Sequence, residues 1–305
     1  MKTYLLKRFL LVPVVLAGIT FLVFLLIWAL PGDPSLALVG ERAKAATVES
    51  IRRELGVDRP FLEQYLGYLK LIMHGNLGRS FYTNRSVADD LIDKLPHTLA
   101  LAASAMALAV PVGVSLGLFM ALGKRRFERF LNVITMAGVS LPVFWVGLIL
   151  MLLISVKARL LPPSGTGGFR YIILPAITLA VPAFASIARV TKTVAMDVLN
   201  QPFMLTARAK GLRRLRVVFT HLLKNTLIPV VTVIGLDFGS YLNGAVLTET
   251  IFGWDGVGRF AMEGIIKRDY PVVMGTVLVG TLAFVGINLI VDLCYAVMDP
   301  RVKKG

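Results

Sequence analysis

Two carboxylates, Asp237 and Asp292, stand inside apolar stretches of this sequence. A carboxylate in hydrocarbon is costly unless it meets a partner, a proton or water, so such groups serve as proton or cation relays or as hydrogen-bonding points between helices. Asp292 lies near the end of its stretch, where solvation at an interface is a further option, and Asp237 lies deeper, with Asn243 on the same run. Neither acid has a basic residue near it within a stretch. Other chemistry is hard to find. His74, His97 and His221 are far apart, and with the single cysteine Cys294 they give neither metal-ligand spacing nor a disulfide framework within the chain. The only Gly-Lys pair, Gly123-Lys124, runs into Arg125, so no phosphate-cradling ATPase loop is present. No G-x-S-x-G elbow occurs, and Ser140, Ser155 and Ser240 have no base at a recognisable spacing. The expectation is a protein that is no enzyme and binds no metal or cofactor itself.

The elements that must position these acids are membrane helices. The chain has 305 residues, is 56% hydrophobic and only 17% charged, and has a mean hydropathy of +0.74, too little charge to cover a soluble domain of this size. Six stretches, 9–30, 98–122, 132–156, 171–188, 227–248 and 272–297, are long enough to cross a hydrocarbon core, and all 33 Lys and Arg fall outside them. The net charge of +15 follows from retaining basic residues on the cytoplasmic side and does not call for nucleic acid. An even number of spans puts both termini on one side, together with Lys124, Arg125, Arg126, Arg129 and the basic region 189–226. That side is the cytoplasm. The first span has a basic flank like a signal peptide, yet its apolar core is too long and no small-residue cleavage site follows, so it reads as a retained helix.

The expected organisation is an all-α polytopic membrane protein: an N-terminal transmembrane helix (1–31), an extracytoplasmic amphipathic segment (32–97) and a five-helix core (98–305). In the middle segment Phe61, Leu62, Tyr65, Leu66, Leu69 and Ile72 make a helical apolar face, with Asp58 and Pro60 as start signals and Gly75 as a stop. A second short helix is expected after the Ser86-Val-Ala-Asp89 cap, running up to Pro96. Such helices lie on the membrane or cap the outer end of the bundle. Small residues at every fourth position, Ala105, Ala109, Gly113, Gly117 and Ala121, and again Gly235, Gly239 and Asn243, predict close helix contacts.

The most charged stretch, 206–225, reads TARAKGLRRLRVVFTHLLKN, with six Lys or Arg and no acid. Attraction to anionic lipid, about 1 kcal/mol per basic residue, accounts for the charge alone. The pattern adds more: Pro202 starts a short helix with Phe203, Met204 and Ala207 on one side, Gly211 ends it, and a second amphipathic stretch leads into the fifth span. A short exposed helix, a glycine joint and a rising helix can carry a push from a cytoplasmic partner into the bundle.

Taken in order, Leu30-Pro-Gly-Asp-Pro34, Thr206-Ala-Arg-Ala-Lys-Gly211 with His221, Asn225 and Ile228-Pro229, Glu249-Thr-Ile-Phe-Gly-Trp-Asp-Gly-Val-Gly-Arg259, Arg268-Asp-Tyr-Pro271 and Asp299-Pro-Arg301 resemble the membrane subunits of ATP-binding cassette importers for dipeptides, oligopeptides and nickel. The resemblance spans essentially the whole chain. It implies a type I importer fold and a coupling helix formed by Phe203, Leu205, Thr206, Ala207, Arg208, Ala209, Lys210 and Gly211. Leu205, Thr206 and Ala207 stand at the family's EAA positions, so the usual Glu is missing, and Lys224 replaces the proline of many sugar importers. It also implies a homologous second permease, two ATPase subunits holding ATP and Mg, an extracytoplasmic binding protein and a peptide-like substrate, in a bacterial inner membrane. Glu249, Phe252, Trp254, Gly256, Gly258 and Arg259 form an outer gate or a docking surface on this view, or an ordinary glycine-capped loop. An ion-coupled secondary transporter using Asp237 and Asp292 is the alternative.

Overall fold

The computed structural model describes residues 2–29, 34–39, 44–242 and 245–298. Among them no strand forms, and one isolated bridge joins Arg79 to Ser86. The helices are α1 (Lys2–Ala29), α2 (Pro34–Val39), α3 (Ala45–Leu55), α4 (Phe61–Met73), α5 (Val87–Leu122), α6 (Arg125–Ser140), α7 (Val143–Leu150), α8 (Phe169–Leu199), α9 (Pro202–Ala209), α10 (Arg214–Arg216), α11 (Lys224–Leu242), α12 (Val246–Ile251), α13 (Val257–Lys267) and α14 (Tyr270–Met298). Wider π-helical turns extend α7 over Met151–Lys157 and join α10 to α11 over Val217–Leu223. Such turns occur mostly as local bulges at functional positions.

Four helical stretches are long and apolar enough to cross a membrane: Val87–Leu122, Phe169–Leu199, Val217–Leu242 and Tyr270–Val291. The expected continuous span over 132–156 is broken instead. Its two halves, α6 and the α7 stretch, meet at 101° and make a fifth span when taken together. Pro142 is the cause: it offers no N–H and drives Leu141 to an extended backbone, φ −75° and ψ 131°. The span expected at 9–30 falls on α1, whose apolar run over the described side chains is the shorter Leu11–Leu26.

The short helix expected between Ser86 and Pro96 merges with the second span. Ser86 caps it, accepting from the Asp89 N–H at 3.4 Å, but α5 continues through Pro96 and Pro111 for 36 residues. A proline interrupts a helix by removing one N–H and crowding one carbonyl; here Leu91, Thr98 and Leu101, buried on either side of Pro96, hold the course.

The core is the contact of α5 with α8. Ala105, Ala109, Gly113 and Gly117 of the small-residue stripe are buried, and a Cβ on Gly117 would sit 2.5 Å from Thr191 Cβ and 2.6 Å from the Ala188 carbonyl. Backbones approach this closely only where side chains are absent, which gains dispersion contact between helices that lipid alone does not drive together. On α11, Gly235 and Gly239 face Val291 and Phe284 of α14 in the same way. α4 lies against α1 through Phe61 and Tyr65, which meet Phe21 and Phe24 edge-on or tilted at 5.3–5.8 Å.

Gly117→Leu should therefore destabilise the protein by about 1–3 kcal/mol or more through overpacking, read as a lowered Tm in detergent. Gly67→Ala, on α4 with open space where its Cβ would lie, should be neutral or stabilise by up to about 1 kcal/mol through helix propensity.

Candidate functional site

Two constellations lie at opposite ends of the bundle. At one end α9 is two-faced. Met204 and Ala207 are buried in a cluster with Ala195 of α8 and with Val217 and Leu222 of the π-helical turn leading into α11. The other face presents Leu205, 63% exposed, and Phe203, 42% exposed, with Thr206, Ala209, Lys210 and Gly211 also exposed. Ala207 thus belongs to the anchoring face, and the side chain of Arg208 lies outside the described part. The helix stops because Gly211 has φ +70°, a left-handed conformation that glycine adopts without the Cβ penalty. Met204 and Ala207 thus join α9 to the turn at the base of α11. At that base the Asn225 amide donates to the His221 carbonyl at 2.6 Å and the Thr226 hydroxyl to the Leu222 carbonyl at 2.8 Å. These side chains satisfy backbone oxygens along the wider turn.

At the other end, the expected glycine-rich loop closes into a buried knot. Glu249 of α12 is fully buried. One carboxylate oxygen accepts from the Thr98 hydroxyl of α5 at 2.8 Å, the other from the Arg259 N–H of α13 at 2.9 Å. Thr98 Oγ1 in turn accepts from the Val257 N–H at 2.8 Å. Thr98 and Glu249 therefore satisfy the orphan N–H groups at the start of α13, where the helix dipole also favours a negative charge. Gly256 is required by this arrangement, since a Cβ there would lie 2.5 Å from the carboxylate atoms. Trp254 donates from Nε1 to the His97 carbonyl at 3.0 Å, the His97 Nδ1 donates to the Asp255 carbonyl at 2.8 Å, and Lys94 pairs with Asp255 at 2.6 Å. The Phe252 carbonyl accepts from the Gly165 N–H at 2.8 Å, which ties the loop before α8 to the same knot. Phe252, Trp254, Gly256 and Gly258 are buried, and Arg259 is half-buried, reaching Gly253 and Glu263.

Sequence reasoning missed the partners. Thr98, 151 residues from Glu249, has no local signal, and Asp269 stands inside a motif without a role of its own. The Asp269 carboxylate accepts from the Ser80 hydroxyl at 2.5 Å and the Phe81 N–H at 3.2 Å, fixing the turn before α5 to the start of α14. An acid directly before Tyr270-Pro271 at a helix start was the available cue.

The intramembrane acids come apart. Asp237 is on α11, and its Oδ2 is buried without a hydrogen-bond partner. Asp292 is on α14 with its side chain outside the described part, and Asn243 lies outside the described residues, as do most of the motifs at 30–34 and 299–301. Among the described residues no group of three His, Cys, Asp or Glu converges as a metal site.

Burial raises the Glu249 carboxyl above the ordinary carboxylate range, and the N–H groups of Arg259 and Gly258 with the Thr98 hydroxyl pull it partly back. The folded state then holds this proton more tightly than the unfolded chain. Its contribution to stability is fully present below the unfolded value and is lost as pH rises through the raised one. Between about pH 7.5 and about pH 5, acidification should raise Tm more, or lower it less, in wild type than in Glu249→Gln; parallel profiles would contradict the assignment.

Comparison with known proteins agrees with this architecture. Residues 113–304 match the model of the binding-protein-dependent transport system inner membrane component, and residues 1–102 match that of its N-terminal part. The chain is 38% identical over 304 residues to the glutathione transport system permease protein GsiC of Escherichia coli, covering 99% of both chains. It is 37% identical over 336 residues to the dipeptide transport system permease protein DppB of Escherichia coli K12, again covering 99% of both. In fold it resembles the MetNI methionine ABC transporter, with a TM-score of 0.59 and 19% identity over 68% of this chain and 96% of that one. The chain thus belongs to the inner-membrane permease components of binding-protein-dependent ABC importers, transport subunits with no enzymatic activity of their own.

Proposed function

We propose that this chain forms half of the translocation pathway of a peptide importer in a bacterial inner membrane, with both termini cytoplasmic and α1 as a sixth membrane helix. The family works with a second permease, ATPase subunits and a binding protein. Here the second permease is a homologue, two ATPases hold ATP and Mg, and the binding protein delivers substrate from outside. Relatives named for glutathione and dipeptide transport, aligned along nearly the whole chain, support a peptide-like substrate. The observation that carries the coupling assignment is the two-faced α9, bare and apolar at Phe203 and Leu205, anchored at Met204 and Ala207.

On this reading α9 docks on an ATPase, and nucleotide-driven closure of the ATPases moves it. A partner shifts a two-state equilibrium only by its differential affinity for the states, so the dock must tighten in one of them. The push passes to the base of α11 and along that helix to α12 and the Glu249 knot. Burial of Glu249, Phe252, Trp254, Gly256 and Gly258 supports a gate role for this motif over direct docking of the binding protein. With ATP as the energy source, the ion relay through Asp237 and Asp292 loses its purpose.

In proteoliposomes holding both permeases and both ATPases, peptide uptake should need ATP and the binding protein; uptake under an ion gradient alone would overturn the proposal. Leu205→Asp should weaken ATPase co-purification or uptake about tenfold or more, as for a charge placed in an apolar contact, without loss of membrane insertion. Gly211→Asp should act in the same direction, because the left-handed backbone there resists a side chain. Normal co-purification and uptake in both variants would remove α9 from the coupling role.

A further inference from the structure

Two cavities follow one another along the seam between α1 and α14. The first, of about 420 Å³, lies at the α4 end of the seam and is lined by Phe24 of α1, Tyr68 of α4, and Tyr270 and Met274 of α14. The exposed side chains of Arg53, Arg59 and Arg79, with Glu54 and Glu63, complete its lining. The second is a groove of about 330 Å³ between Leu11, Val15 and Ile19 of α1 and Thr281, Phe284 and Val285 of α14. Its polar groups are already engaged: the Thr281 hydroxyl donates to the Val277 carbonyl at 2.7 Å, and the Asn288 amide to the Phe284 carbonyl at 2.9 Å. The groove is therefore apolar in effect.

The first cavity is rich in donors. The Tyr68 ring stacks on Phe24 at 6.4 Å, and its hydroxyl is shielded from water without a hydrogen-bond partner, a state that calls for a bound group. The Arg59 guanidinium enters no ion pair or hydrogen bond among the described residues. Arg53 has an exposed pair with Glu49 at 3.4 Å, and Arg79 gives one N–H to the Asn84 carbonyl at 2.8 Å. Their planar forks match phosphate oxygens, and Glu54 and Glu63 match an ammonium.

Position selects among ligands with those charges. Tyr68 and Tyr270 at the cavity and Trp28 one turn beyond Phe24 are the residue types found at headgroup level. Leu22 and Leu26 of α1 and Leu62 and Leu66 of α4 are exposed beside them. Phe24 and Val15, at the cavity and in the groove, are nine residues apart on α1. That is roughly 14 Å of helix, about half of a hydrocarbon core of roughly 30 Å. A dipeptide carries both charges too, yet has no chain to fill the groove.

We propose that a phospholipid with an ethanolamine headgroup occupies this seam. Its phosphate meets Arg59, Arg79 and the Tyr68 hydroxyl, its ammonium meets Glu54 and Glu63, and one acyl chain fills the groove between α1 and α14. The lipid thereby joins α1 and α4 to the start of α14.

The test uses the complete transporter in detergent. Native mass spectrometry should find bound phosphatidylethanolamine, with one molecule fewer when this chain carries Arg59→Gln and Tyr68→Phe together. After lipid is stripped, added dioleoyl phosphatidylethanolamine should raise Tm by about 5 °C or more. Phosphatidylglycerol should do less, and phosphoethanolamine without acyl chains should do nothing. Arg59→Gln and Tyr68→Phe should each raise the lipid concentration needed about tenfold. Val15→Trp, which fills the groove from an exposed position, should abolish the shift while ATPase co-purification persists. The same lipid count in the double variant and the parent, an undiminished shift in Val15→Trp, or equal shifts with phosphatidylglycerol would overturn the proposal. Protection by a dipeptide or by the binding protein that Arg59→Gln removes, with the lipid effect intact, would give the cavity to that partner and overturn it as well.

Discussion

The close approach of α5 and α8 is the contact against which the remaining helices are set. Because Gly113 and Gly117 lack side chains, α5 comes up against Ile187 and Thr191 at backbone distance, and α6, α7 and α11 then all rest on α8 while α11, α13 and α14 reach α5. In lipid no hydrophobic driving force brings helices together, so shape and small residues must do it. A side chain added at Gly117 would therefore disturb more than one pair.

From that scaffold α11 runs between the two ends, as α5 and α8 also do. At its base it receives α9 through Val217 and Leu222; at its far end it leads to α12 and the Glu249 cap of α13. Each end is built for a different task. The α9 end keeps apolar side chains bare at Phe203 and Leu205, and the α13 end leaves its polar groups satisfied and shielded. A hydrogen-bonded knot at one end and an exposed apolar face at the other fit the coupling proposed above.

The two buried acids show how environment sets role. Glu249 is held by Thr98 and by the first N–H groups of α13, so its charge is absorbed into the fold. Asp237 of α11 has no such holder among the described residues, and its Oδ2 is buried without a hydrogen-bond partner. The first acid is tied into the fold, and the second is not.

Much was legible without coordinates. The apolar runs, the exclusion of every Lys and Arg from them, the small-residue stripe on α5, the Ser86 cap and the short α9 ended by Gly211 follow from local rules, because hydrophobic length, capping and left-handed backbone are properties of neighbouring residues. The 101° break at Pro142, the passage of α5 through Pro96, the inward turn of Ala207 and the burial of the 249–259 loop do not. Each depends on groups far away in sequence: Thr98 finds Glu249, and Ser80 finds Asp269, only once the helices have packed. The sequence by itself determined which segments are long and apolar and that a short helix ended by Gly211 lies between two of them. Only the tertiary structure decided which carboxylate is satisfied and which is left open, because a hydrogen bond depends on distance in space and the chain encodes distance only along itself.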